Sequence, residues 1–199
     1  MAAKSDNAAI YLGPNQAARL VSTDELAAAH SKGIVNCTRS TSVHNNNKEV
    51  KVCQVPISDI ESAHILPFLP GATAFIHHHV VLRGHSVLVH CAAGVSRSAT
   101  VVLAYLMRYH NFSLVDAYQH VKSRRPCIAP NAGFWAQLKS WERSCSSNDS
   151  PIAHVPSHSV DAEWACASMA LFITLHAIEG MDYKDMSALE YATKNMRST

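Results

Sequence analysis

Residues 87–106 read VLVHCAAGVSRSATVVLAYL, and this stretch decides the fold. SVLVH, from Ser86 to His90, is a short β-rich run after Gly84 and reads as a buried strand. From Ser98 the pattern turns helical through ATVVLAYLMRYH. The chain must therefore turn through residues 91–97, between a strand end and a helix start. Such a turn aims successive backbone N–H groups at one point. Gly94 relaxes the backbone and the positive end of the helix dipole stands behind the turn, so Ala92, Ala93, Gly94, Val95, Ser96 and Arg97 form an anion cradle. Arg97 adds a planar fork suited to two oxygens of a phosphate. The same positive surroundings favour a thiolate at Cys91, because an ordinary thiol with a pKa near ~8.5 is only slightly ionised at neutral pH. The pattern points to a site that binds phosphate and then attacks it.

Working outward, AIYLG reads as a first strand, and Ser22 with Glu25 in capping-box spacing announces a helix that Gly33 would end. GIVNCT and VKVCQVPI supply two more strand pieces. The segment after Pro70 has helical apolar spacing and stops at Gly84. Beyond the opening stretch, Ser113 with Asp116 marks another helix, and NAGFWAQLKSWERS one more. Strands interleaved with helices mean an α/β fold with a central, mostly parallel sheet flanked by helices. Around Cys145 the composition shifts to SCSSNDSPIAHVPSHS, which reads as a linker, so residues 8–145 form one domain and residues 146–199 a linker and C-terminal extension. In that extension DAEWACASMALFITLHAIEG is helical in length, with Gly180 as a stop. It is apolar nearly all round, which fits packing on the domain, with contact to a partner or to a membrane surface as the second reading.

A chain of 199 residues, 48% of them hydrophobic, suffices for one compact domain with a sizeable core. Its formal charge of +2 is too small to argue for nucleic acid or an acidic membrane surface, and the nearest basic group is Lys122, Arg124 and Arg125. No apolar run reaches the roughly 20 residues of a membrane span. The N-terminal MAAKSDNAAIYLG has no signal-peptide h-region, so the expected location is cytoplasmic, with the nucleus also open to it. Cys37, Cys53, Cys91, Cys127, Cys145 and Cys166 show neither a Cys-x-x-Cys pair nor zinc-finger spacing, and reduced thiols are expected. No cofactor or metal is called for. Adjacent His77, His78 and His79 point in different directions on a helix, and a solvated helix end is expected there.

HCAAGVSRS has the His-Cys-five-residues-Arg-Ser pattern of the protein tyrosine phosphatase superfamily. The continuation through SLVDAYQHVKSRRPCIAPNAGFWAQLKSWE, together with AIYLG and VPISD, resembles the small atypical dual-specificity phosphatases over residues 8 to 145. The resemblance implies the cysteine-phosphatase fold, Cys91 as nucleophile, Arg97 on the phosphoryl oxygens, and the Ser98 hydroxyl assisting release of the thiolate. The chain begins almost at its first strand, so no N-terminal kinase-docking domain of the mitogen-activated-kinase phosphatases is expected. Asp59 follows the VCQVPI strand in a loop, as the family's general acid does, and is preferred over Glu61 and Asp116. Its bland reading is a turn cap. Ser98 also fits a helix N-cap, and Asn131 in PNAGF either borders the site or caps a helix. His90 reads as a scaffold histidine, and Ala129 stands where some relatives carry a basic residue.

Cys37 closes GIVNC at a strand's carboxyl end, where ligand sites of such sheets gather, and is the candidate redox partner of Cys91, beside its reading as a core filler. Some relatives use a cysteine in this region that way. The implied function is a phosphatase acting on phosphotyrosine and on phosphoserine or phosphothreonine of phosphoprotein substrates. The alternatives are a phosphoinositide or RNA 5′-phosphate substrate, or a non-catalytic phosphate-binding module. The loop AAGVS carries no lysine to hold a highly charged inositol phosphate.

Overall fold

The computed structural model describes residues 8–21, 31–40, 50–146 and 174–177. Five strands form one parallel sheet: β1 (Ala9–Gly13), β2 (Ser31–Asn36), β3 (Lys51–Gln54), β4 (Ser86–His90) and β5 (Thr174–Ala177). Their order is β3-β2-β4-β1-β5, which places β4 in the middle. All five residues of β1 and all five of β4 are buried. Continuous burial without alternation is what a sheet covered on both faces requires. The register sets Gly13 and Asn36 on either side of His90, so the strand ends that open toward residues 91–97 are level. The expected α/β class is the observed one.

The helices are α1 (Asn15–Val21), α2 (Leu69–His77), α3 (Arg97–His110), α4 (Leu114–Arg124) and α5 (Ala132–Ser146), with a single tight turn at Leu66–Phe68 before α2. The central helix α3 is buried from Ser98 to Met107 and packs against α2, α4 and α5. Trp141 of α5 donates its indole N–H to the Ala104 carbonyl, 3.0 Å away. The Ser113 cap read from the sequence is present, its hydroxyl accepting from the Asp116 amide at 3.1 Å.

Helix α1 lies at Asn15–Val21, ahead of the Ser22 and Glu25 signal, and the helix expected from that signal falls outside the described residues together with residues 22–30. Other expectations are corrected. Gly33 is not a helix stop but a residue of β2, where an added Cβ would stand 3.0 Å from Val87 Cγ2 and 3.1 Å from His79 Cγ. His79 is correspondingly not solvated. It is 7% exposed, its ring centroid lies 4.4 Å from that of Phe75, and burial, followed by the charges of His78, His85 and Arg83, lowers its pKa to about 4. The ring of His77 stacks on Tyr109 at 4.0 Å, so His77 and His79 pack inward at this end of α2, which a wider π-helical turn at His78–Leu82 prolongs, while His78 is exposed as expected.

Within the expected C-terminal helix, Thr174–Ala177 is a strand, parallel to β1 and aligned from Ala9↔Thr174 to Leu12↔Ala177. A short apolar run containing Ile173 and Thr174 carries no period that separates strand from helix, and the edge of β1 offers a row of backbone groups for pairing. The rest of that expected helix and the linker beyond residue 146 lie outside the described residues. Among the described residues, no helix is long and apolar enough to cross a membrane.

Candidate active site

Cys91 follows β4 directly and is 1% exposed. The Gly94 amide donates to its Sγ at 3.2 Å and the Ser98 hydroxyl at 3.3 Å. Burial pushes the thiol's pKa up, but the hydroxyl and amide of Ser98, the Arg97 charge and the Val95 amide outweigh it, and the net shift is downward. The donors of the loop thus favour the ionised form of the Cys91 thiol.

The amides can face inward because the carbonyls are held from outside. Ala92 O accepts from the Asn15 amide at 3.1 Å and Val95 O from the Ala129 amide at 2.9 Å. Arg125 donates through Nε to Gly94 O at 2.9 Å and through Nη2 to Ala93 O at 3.3 Å. Gly94 has φ of 70°, and a Cβ there would come within 2.6 Å of the Gly13 backbone. Only glycine meets both demands without strain. Arg125 is buried and was visible in the sequence only as one member of a basic group. Nothing in the residue pattern separates it from Arg124, which instead bonds the His120 carbonyl at 3.1 Å.

Ser96, not Ser98, occupies the cap position of α3, and its hydroxyl does not cap the helix. It donates to Asp59 Oδ1 at 2.7 Å and accepts from the Asn131 amide at 3.2 Å. Ser98 lies within the first turn, fully buried, with its hydroxyl on the thiol. Asn131 bonds in two directions: Oδ1 accepts from the Phe134 amide at 2.9 Å, capping α5, and Nδ2 donates to Asp59 Oδ1 at 2.9 Å. Arg97 donates from Nε to Asp59 Oδ2 at 3.3 Å and from Nη1 to the carbonyls of Cys37 and Ile57, each at 3.2 Å. Asp59 is therefore brought to the rim of the cradle, whereas Asp116 is occupied at the start of α4.

His90 is fully buried, and its carbonyl accepts from the Cys37 amide at 2.8 Å. Cys37 is buried just past β2, and its pKa stands well above the ordinary value, first through burial and then through Cys91 and Cys53, with Arg97 opposing. Cys37, Cys53, Cys91, Cys127 and Cys145 are free thiols. Among the described residues, no group of three or more His, Cys, Asp or Glu is placed to hold a metal ion.

Residues 10–144 match the family described as dual specificity phosphatase, catalytic domain. The chain is 38% identical over 143 residues to human dual specificity protein phosphatase 21, covering 65% of this chain and 75% of that protein. It is 40% identical over 143 residues to mouse dual specificity protein phosphatase 18, covering 65% and 76%. Among solved structures it resembles the crystal structure of human DUSP28, with a TM-score of 0.63 and 36% identity over 67% of this chain and 91% of that one.

Proposed function

This chain belongs to the dual specificity phosphatase family of hydrolases, and we propose that it cleaves phosphate from phosphotyrosine and from phosphoserine or phosphothreonine in proteins through a phosphocysteine intermediate. The observation that carries the reading is the Cys91 thiol at the floor of a loop whose Gly94 amide and Ser98 hydroxyl donate to it. In the first step the Cys91 thiolate attacks phosphorus, the bond from phosphorus to the side-chain oxygen breaks, and the Asp59 carboxyl gives that oxygen its proton. Arg97 and the inward amides take up the charge on the equatorial phosphoryl oxygens. In the second step Asp59 takes a proton from the attacking water. The S–P bond breaks, and the Ser98 hydroxyl donates to the departing thiolate.

A phosphoryl group in the cradle competes with Asp59 for Arg97 Nε, so substrate binding releases Asp59 toward the leaving oxygen. The loop AAGVS has no lysine, which supports phosphoproteins over inositol phosphates. A panel of phosphopeptides, phosphoinositides and RNA 5′-triphosphate with one enzyme preparation tests the choice: phosphopeptides are expected to turn over fastest, and a faster phosphoinositide or RNA reaction would overturn it.

A general acid is worth most when the leaving oxygen is strongly basic. Asp59→Asn is expected to slow a phosphoserine peptide by about 10²-fold or more and p-nitrophenyl phosphate by about tenfold or less. Equal losses on the two substrates would reassign the acid, with Glu61 next in line.

Ser98→Ala removes a donor that lowers the Cys91 pKa. Because the thiolate is the reactive form, the rising acidic limb of kcat/KM should move to higher pH in this variant. The pH profile of kcat/KM checks this, and a limb left in place would mean that Ser98 does not set the ionisation of Cys91.

A further inference from the structure

We infer that Gly133 and Gln137, one turn apart on α5, are positioning residues that hold the acid loop where Asp59 can reach the leaving oxygen. The inference rests on the acid role proposed for Asp59. That residue lies in the segment between β3 and the turn at Leu66–Phe68. The first arm of the segment is tied to the sheet and the cradle, with the Val55 amide on Asn36 O at 2.9 Å and Ile57 O on Arg97 Nη1 at 3.2 Å. Farther along, α5 sets its position.

A Cβ at Gly133 would fall on the Glu61 carbonyl oxygen and stand 2.6 Å from its carbon and 2.7 Å from its Cα. All three are backbone atoms, which cannot turn aside as the tip of a side chain does. The loop therefore sits directly on the helix surface, two residues from Asp59, and any side chain at Gly133 must lift it. Gln137 lies on the same helix face, four residues on. Its Nε2 donates to Ala63 O at 2.8 Å and to Gly133 O at 3.1 Å, while its Oε1 accepts from the Leu66 amide at 3.0 Å. One side-chain amide thus closes the second arm of the loop against the helix that also presents Asn131 to Asp59. The helix start and the acid form one unit, and lifting the loop pulls Asp59 from Ser96, Asn131 and Arg97 together.

A positioning role through Asp59 differs from a general loss of structure in its dependence on the leaving group. Gly133→Ala and Gln137→Leu are to be assayed with a phosphoserine peptide and with p-nitrophenyl phosphate, each alone and combined with Asp59→Asn. Each single variant is expected to lower kcat on the peptide at least about tenfold and on p-nitrophenyl phosphate less than about threefold, with competitive inhibition by inorganic phosphate unchanged. In the Asp59→Asn background either substitution should change the peptide rate less than about twofold, because the group it positions is already gone. Gln137→Leu decides the matter on its own if Gly133→Ala does not fold. Equal losses on both substrates, or full additivity with a leaving-group-selective Asp59→Asn, would overturn this inference alone. An Asp59→Asn enzyme without that selectivity would overturn the acid assignment along with it.

Discussion

Cys91→Ser should lose turnover by at least about 10⁴-fold on every phosphomonoester, because an alcohol held in the same place is far less ionised than a thiol whose pKa is already lowered. Binding should behave oppositely. The carbonyl props from Arg125, Asn15 and Ala129 do not involve the sulfur, so the amide cradle keeps its shape. Loss of the thiolate also removes a negative charge beneath the incoming phosphate. Inorganic phosphate should therefore bind Cys91→Ser at least as tightly as it binds the unsubstituted protein, measured by calorimetry. Hydrolysis at near the original rate would exclude a phosphocysteine mechanism, and binding lost with turnover would mean that the sulfur shapes the loop.

The second large effect is expected at Arg97, where rate and binding should fall together. Its guanidinium donates to Asp59, and the same group supports the carbonyls of Cys37 and Ile57. Removing a single preorganised donor at a developing charge costs about 10² to 10³ in rate, and Arg97→Ala removes a two-pronged one, so a loss of roughly 10³-fold or more in kcat/KM is expected. Phosphate affinity should drop as well. Arg97→Lys retains the charge without the planar fork and should recover little. Rates for the Lys variant close to those of the original enzyme would show that charge alone suffices and that the fork geometry carries no weight.

The centre of the molecule was legible because two periods meet there. SVLVH and the helical run after Ser98 can be joined only by a tight turn at residues 91–97, and the chemistry of that turn follows from backbone direction and one arginine. The resemblance to the phosphatases added Asp59, whose place on the rim depends on side chains 37 and 72 residues away along the chain. Other features could not be read because sequence displays residue type and not direction. Gly33 looked like a helix stop when its smallness serves close packing of β2 against Val87 and His79. Ser96 and Ser98 are two residues apart and both suit a cap, yet one hydroxyl turns to Asp59 and the other to the Cys91 thiol. Arg125 and Arg124 are adjacent, and only one is drawn beneath the loop. The strand at Thr174–Ala177 is a pairing with β1 that no local pattern announces.

The central claim is that phosphate passes through the sulfur of Cys91, and the most direct measurement is to trap that species. The enzyme is mixed with a phosphopeptide carrying radiolabelled phosphate, quenched in acid within a turnover, digested, and the label located by peptide mapping. The expected result is label on the peptide containing Cys91, and absent from the Cys91→Ser protein. Product release with no labelled Cys91 peptide at any quench time, or label retained in the Cys91→Ser protein, would contradict the account.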